Sequence, residues 1–348
     1  MLKTLYRQNN FPILQNRVYD TPEEAENCPV GDIEIVEDLR TGLVYNAAFR
    51  PELMTYDSNY NNEQSLSQYF RKHLDQVAKV VESKLGRESL VEVGCGKGFF
   101  LEMLLARGFD IVGFDPTYEG RNERVIKKYF EPGIMEPAEG LILRHVLEHI
   151  QNPADFLEKL KKANGGKGLI YIEVPCFDWI CQKRAWFDIF YEHVNYFRLN
   201  DFYRMFGDIV DAGHLFNRQY IYVVARLETL RHLGTDNESP ISFPSDFDKA
   251  LESENINRPC VIWGGASKGV IFALLKSRKH QKFNFAVDIN PAKQGKYLPL
   301  TALKVYSPKL AMQSLPSDSV VYVMNSNYLD EVRQMTKGKF NLIGIDYE

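Results

Sequence analysis

The chain reads as an α/β protein with two open, largely parallel sheets in tandem behind a small N-terminal region. Three observations carry this expectation. Short apolar runs of strand length alternate with segments of helix length. Two of the strands run into glycine-rich turns that open a helix, at residues 94–98 and 264–269. A polar stretch from His232 to Pro244, rich in Gly, Asn, Asp, Ser and Pro, separates the two series and reads as a linker. The boundaries that follow are 1–72, 73–232 and 233–348.

The first 70 residues show no clear periodicity and carry turn-prone pieces around Asp20, Pro29 and Asp57. The spacing of Phe70, Leu74, Val77 and Val81 predicts a helix from Ser65 to Leu85, stopped by Gly86. Strands follow at Leu90–Val93, Asp110–Phe114, Gly140–Leu143, Gly168–Val174 and Tyr220–Ala225. Helices are expected at Phe99–Arg107 and Pro153–Lys162. Beyond the linker the pattern restarts with strands at Cys260–Trp263, Phe283–Val287, Val320–Val323 and Leu342–Ile345, and a helix at Val270–Lys276.

Composition excludes several classes. A net charge of −4 gives no general pull toward nucleic acid or anionic membrane. No apolar run reaches the roughly 20 residues that span a bilayer, and Met1–Asn10 has no signal-peptide core, so the cytosol is the expected location. Cysteines at 28, 95, 176, 181 and 260 are odd in number and form no C-x-x-C pair, which argues against a disulfide framework and a structural zinc site.

The segment Val91–Phe99 (VEVGCGKGF) is the strongest local signal. Gly94, Gly96 and Gly98 let the backbone turn tightly beneath a ligand, and the following helix aims its free N–H groups at the loop. Glu92 lies at the strand's end. Asp115 closes the next strand, 21 residues after Gly94, where a carboxylate can accept the hydroxyls of a ribose. A dinucleotide fingerprint would want glycine where Phe99 stands. The form E-x-G-x-G-x-G resembles instead the cofactor loop of class I methyltransferases. That resemblance implies S-adenosylmethionine as cofactor, contacted by Glu92, Gly94, Cys95, Gly96, Gly98 and Asp115. Leu141–Pro153 (LILRHVLEHIQNP) is similar to the same class, and its position past a strand's C-terminal edge brings Arg144, His145 and His149 toward cofactor and substrate.

Residues 179–206 hold ten aromatics, Trp186 and Tyr191 among them, and several fall at helical spacing that suits core packing. Within them stand Glu192 and His193, with Asn195 close behind. An imidazole accepts a proton near neutrality and a carboxylate can orient it. His193 is therefore the first candidate base, His149 the second, with Glu192 beside them.

The segments Phe190–Phe197 (FYEHVNYF), Gly264–Val270 (GGASKGV) and Asp288–Pro299 (DINPAKQGKYLP) resemble the C-methyltransferases of deoxysugar biosynthesis. The resemblance implies a Rossmann-like class I methyltransferase domain between a small N-terminal domain and a C-terminal α/β nucleotide-binding-like domain, enclosing a nucleotide-linked sugar. It implies His149, Glu192 and His193 as catalytic, and Tyr56 or Tyr60 over the site. Trp186, Tyr191 and Asn195 join them as candidate substrate contacts. Two departures stand out. The N-terminal region has only Cys28 where the family carries four zinc cysteines, so no metal is expected. Phe190 replaces a family tyrosine, so methylation on carbon, oxygen or nitrogen stays open.

The second loop, with Gly265, Ser267 and Lys268, could hold the phosphates of the nucleotide-linked substrate. Read as G-x-A-x-x-G with Asp288 ending the next strand, it could instead bind NAD. Ala266 at the pyrophosphate position argues against that. A scaffold that binds the cofactor without turnover is a further alternative.

Overall fold

The computed structural model describes residues 1–54, 63, 65–234, 240–251 and 258–346. The candidate substrate contacts Tyr56 and Tyr60 lie outside them. Strands β1 (Leu2–Pro12), β2 (Val30–Asp38) and β3 (Val44–Asn46) form an antiparallel sheet, with helix α1 (Pro22–Glu26) between the first two. No such hairpin was expected from the sequence. β1 buries only a few side chains and is bulged twice, so its alternation is broken.

Helix α2 (Gln68–Leu85) starts three residues later than its apolar spacing suggests, because Ser67 caps it by accepting from the Phe70 N–H. The same hydroxyl donates to Glu331 at 2.7 Å, tying the helix start to the C-terminal part of the chain.

The central unit runs β4 (Leu90–Val93), α3 (Phe99–Ala106), β5 (Ile111–Phe114), β6 (Val125–Ile126), β7 (Gly140–Arg144), α4 (Pro153–Ala163), β8 (Leu169–Pro175), α5 (Phe177–Gln182), β9 (Asn195–Tyr196), α6 (Leu199–Met205), β10 (Ile209–Leu215) and β11 (Tyr220–Arg226). Seven strands order as β6-β5-β4-β7-β8-β11-β10, parallel from β6 to β8 and antiparallel at β11 and β10. The order reverses between β4 and β7, which opens a crevice at their C-terminal ends. β9 leaves this unit and pairs with β3, so the N-terminal sheet pins the chain just after Glu192 and His193.

The third unit runs β12 (Cys260–Trp263), α7 (Lys268–Arg278), β13 (Phe285–Val287), β14 (Val305–Tyr306), α8 (Pro308–Ser314), β15 (Val320–Val323), α9 (Leu329–Met335) and β16 (Asn341–Gly344). Its sheet, β14-β13-β12-β15-β16, is wholly parallel and reverses order at β12. Both glycine loops therefore stand at switch points, one after β4 and one after β12. Apolar burial joins the units: Trp186 stacks on Phe272 of α7 at 5.4 Å between ring centroids. No helix among the described residues is long and apolar enough to cross a membrane.

The segment around Glu192 is not helical, although its aromatics fall at helical spacing. A single 3-10 turn at Trp186–Asp188 leads into extended chain and then β9. Those aromatics pack against different neighbours, Phe187 on Phe272 and Tyr191 on Phe49, rather than along one helix face.

Candidate active site

At the first loop Gly94, Gly96 and Gly98 all take positive φ, at 72°, 55° and 80°, a region that side chains with a Cβ rarely enter. A Cβ on Gly94 would also meet the Val146 side chain at 2.5 Å. Glu92 is buried, and its Oε2 makes no hydrogen bond. Burial pushes its carboxyl up to about 8, against the pull of Arg144 nearby. The Asp115 carboxylate accepts from Gly96 N–H at 2.8 Å on one oxygen, and from the Thr117 amide and hydroxyl at 2.8 and 2.7 Å on the other. Of its roughly four lone-pair positions three are used, so a ribose diol is fully served once the Thr117 hydroxyl turns away. A tight glycine turn, a buried carboxyl with one oxygen unpartnered and an acid with a spare acceptor position fit a nucleoside cofactor that carries no pyrophosphate.

Behind β7 lies a buried ionic cluster centred on Glu173. Its carboxylate meets Arg144 at 3.1 Å, His73 at 3.2 Å, His145 at 3.0 Å and the Tyr171 hydroxyl at 2.7 Å. Burial alone would raise the Glu173 carboxyl, but Arg144, then His73 and His145, hold it well below the usual range. His145 bridges Glu173 and Glu148. Burial would lower its imidazolium, yet those two carboxylates raise it to about 9, so it is a cation at neutral pH. It also sits at φ 51°, a left-handed backbone held by these contacts.

A cavity of about 260 Å³ opens beside this cluster, with His145, Glu148, His149 and His193 on one wall and Ser267 and Lys268 on another. The rings of His149 and His193 meet edge to face with centroids 4.9 Å apart. His149 donates from Nδ1 to the backbone carbonyl of Glu192 at 2.8 Å, since a carbonyl can only accept. That bond fixes the tautomer and leaves Nε2 with a free lone pair. Burial, followed by the proximity of His149, His145 and Lys268, holds the His193 imidazole well below its usual value, so it stays neutral.

At the second loop two of the backbone donors are bonded within the chain. Gly265 N–H reaches Asp288 Oδ2 at 2.9 Å, and Ser267 N–H reaches the carbonyl of Gln15 at 3.0 Å. The Ser267 hydroxyl donates to Asn16 at 2.7 Å. A Gln15–Asn16 strap thus lies across the loop where a pyrophosphate would rest in a dinucleotide site. The Gly265 and Ser267 amides are therefore engaged within the chain; Ser267 lines the cavity, and Gly265 is not among the described residues that do. Lys268 does reach the cavity, paired with Asp188 at 3.0 Å and lying 4.8 Å from the Trp179 ring.

Other expected site residues are turned elsewhere. Glu192 is buried and its carboxylate accepts from Gln15 N–H at 2.9 Å, so it holds the strap while its neighbour His193 faces the cavity. Arg144 is spent on Glu173 and lies 4.5 Å from the Phe100 ring. Trp186 is core. The Tyr191 hydroxyl accepts from Arg50 N–H, and its ring covers Gly31 so closely that a Cβ there would sit 2.2 Å away. Asn195 donates to the Ile150 carbonyl. None of these five is among the described residues lining the cavity. One residue escaped the sequence reading: Glu148, 1% exposed, with Oε2 unpaired at the cavity wall. Its only signal was its place between Leu147 and His149.

A methyltransferase-domain family model matches residues 65–209, and a model of the C-methyltransferase C-terminal domain matches residues 248–343. The curated C-methyltransferase NovU of Streptomyces niveus is 22% identical over 303 residues, covering 75% of this chain and 72% of that protein. Among solved structures, the 1,6-didemethyltoxoflavin-N1-methyltransferase of Burkholderia thailandensis aligns at 14% identity, over 56% of this chain and 96% of that one, with a TM-score of 0.36. The plantazolicin methyltransferase BpumL aligns at 17% identity, over 45% of this chain and 72% of that one, with a TM-score of 0.35.

Proposed function

Proceeding from a chain that is an S-adenosylmethionine-dependent methyltransferase of the Rossmann-like class I fold, we propose that its acceptor is a nucleotide-linked keto sugar methylated on carbon. The carrying observation is that one cavity is bounded both by the His149–His193 pair and by Lys268 of the C-terminal domain. A sugar can then face the imidazoles while its diphosphate competes with Asp188 for the Lys268 ammonium. The C-methyltransferase domain at 248–343 and the likeness to NovU support carbon as the acceptor.

The cofactor supplies a methyl made electrophilic by its sulfonium. Residues 92–98 and Asp115 would hold it at the end of β4, where the Val146 side chain packs close over Gly94. His193, kept neutral by burial, takes a proton from the carbon beside the sugar carbonyl. The C–H electron pair is left as an enolate, the form in which that carbon is a nucleophile. His149, its Nε2 free, is the second acceptor for that proton. Glu192 acts at one remove by holding the Gln15 strap and, through its carbonyl, the His149 ring.

Calorimetry tests the substrate. A thymidine or uridine diphosphate sugar should bind, and Lys268→Gln should weaken it about ten- to a hundredfold, the worth of one charge-assisted bond. Binding of NAD tighter than that of any nucleotide sugar, or no change in Lys268→Gln, contradicts the proposal.

A further inference from the structure

We propose that Glu148, His149 and His193 form a binding site for a divalent transition-metal ion. One ligand atom from each lies within 4.8 Å of the others, on the wall of the same cavity. Two imidazoles and one carboxylate are the donor set of open catalytic zinc and non-haem iron sites. With bonds of about 2.0–2.2 Å, ligand atoms around a tetrahedral ion stand roughly 3.3 Å apart. Small side-chain rotations therefore close the set.

Three independent features prepare these groups as ligands. The Nδ1–H of His149 is anchored on the Glu192 carbonyl, so Nε2 presents its lone pair, the arrangement second-shell bonds impose on metal-bound histidines. Glu148 is 1% exposed, with one oxygen near His145 Nδ1 at 3.3 Å and the other without a partner. A buried carboxylate oxygen left unpaired in this way is costly, and a cation satisfies it. His145 in turn leans on Glu173, so the carboxylate ligand has its own support from the ionic cluster.

The consequence for turnover rests on the reading of His149 and His193 as the proton-transfer pair. A bound ion occupies the lone pairs that would take the proton, so the loaded site is catalytically silent and a chelator restores it.

The test uses the full untagged chain and Co²⁺ as the probe. One equivalent should give the intense visible absorption of four- or five-coordinate cobalt, without a thiolate charge-transfer band, and Zn²⁺ should displace it. Glu148→Gln and His193→Asn should each weaken binding at least tenfold. His145→Asn should weaken it about 10–100-fold through the lost support, with folding checked by circular dichroism. Absence of the cobalt spectrum, or an unchanged spectrum in both Glu148→Gln and His193→Asn, overturns the site. Turnover unaffected by saturating Zn²⁺ overturns the inhibitory role. Cobalt binding in a chain that methylates no nucleotide sugar instead removes the substrate reading and leaves the site standing.

Discussion

His149 and His193 meet at nearly a right angle, and their surroundings give them different roles. His193, the proposed proton acceptor, is half-buried and held neutral, while His149 is locked in one tautomer by the Glu192 carbonyl. His193→Asn should therefore lower turnover by roughly 10²–10⁴ while leaving S-adenosylhomocysteine affinity unchanged, because the glycine loop is untouched. His149→Asn should lose less. Steady-state kinetics beside calorimetry checks both, and a folded His193→Asn with wild-type turnover would remove it from the mechanism. A second prediction concerns Glu173. Its depressed carboxyl contributes stability above the unfolded value of about 4.3 and loses it as pH falls. His145, raised to about 9, contributes below the unfolded value of about 6.5 and loses it as pH rises through 9. The joint contribution of Glu173 and His145 should thus be greatest between roughly pH 5 and 6.5. Glu173→Gln should cost about 3–5 kcal/mol by stranding Arg144, and flatten the acid limb in urea titrations. Both imidazoles were legible in the sequence because a His in the L-E-H and E-H contexts is a chemical signal. Arg144, Tyr191 and Asn195 carried equal polarity but were claimed by Glu173, Arg50 and Ile150, long-range partners that no local pattern reveals.

At the scale of elements, strands buried on both faces were readable to the residue. Cys260–Trp263 and Val320–Val323 are continuous apolar runs, and Leu90–Val93 is one broken only by Glu92, each next to glycine or turn residues. The β1–β2 hairpin was not, since one face is exposed and two bulges shift its register. The 187–197 segment misled in the opposite sense: its aromatics pack on different neighbours, Phe187 against Phe272 of α7 and Tyr191 over Gly31 of the N-terminal sheet. Both glycine turns were visible, but only the structure separates them. The first keeps a buried acid unpartnered; the second has its amides bound to Asp288 and Gln15. Gly269 is required by close approach, as a Cβ there would lie 1.8 Å from the Gly264 carbonyl oxygen. Gly269→Ala should destabilise by about 1–3 kcal/mol through overpacking between β12 and α7, read as a lower denaturation midpoint. Ser67→Ala, which loses both the cap of α2 and the bond to Glu331, should cost about 1–2 kcal/mol.

For the whole molecule, three sheets converge on one cavity. The central sheet brings His145 to His149 from the end of β7. The N-terminal sheet pins Glu192 and His193 through β9 and sends the Gln15–Asn16 strap over the second loop. The C-terminal sheet adds Lys268. This convergence could not be read from local patterns, because the strap carries no motif and its contacts span more than 170 residues in sequence. The proposed reaction is methyl transfer from S-adenosylmethionine to carbon in a nucleotide-linked keto sugar. The direct measurement incubates the purified chain with methyl-labelled cofactor and a panel of such sugars, deuterated beside the carbonyl, and follows the products by mass spectrometry. A product that gains one labelled methyl and loses one deuterium should be formed by the native chain, and at least a hundredfold more slowly by His193→Asn. A methylated product that keeps all its deuterium, or no methylated sugar from any member of the panel, would contradict it.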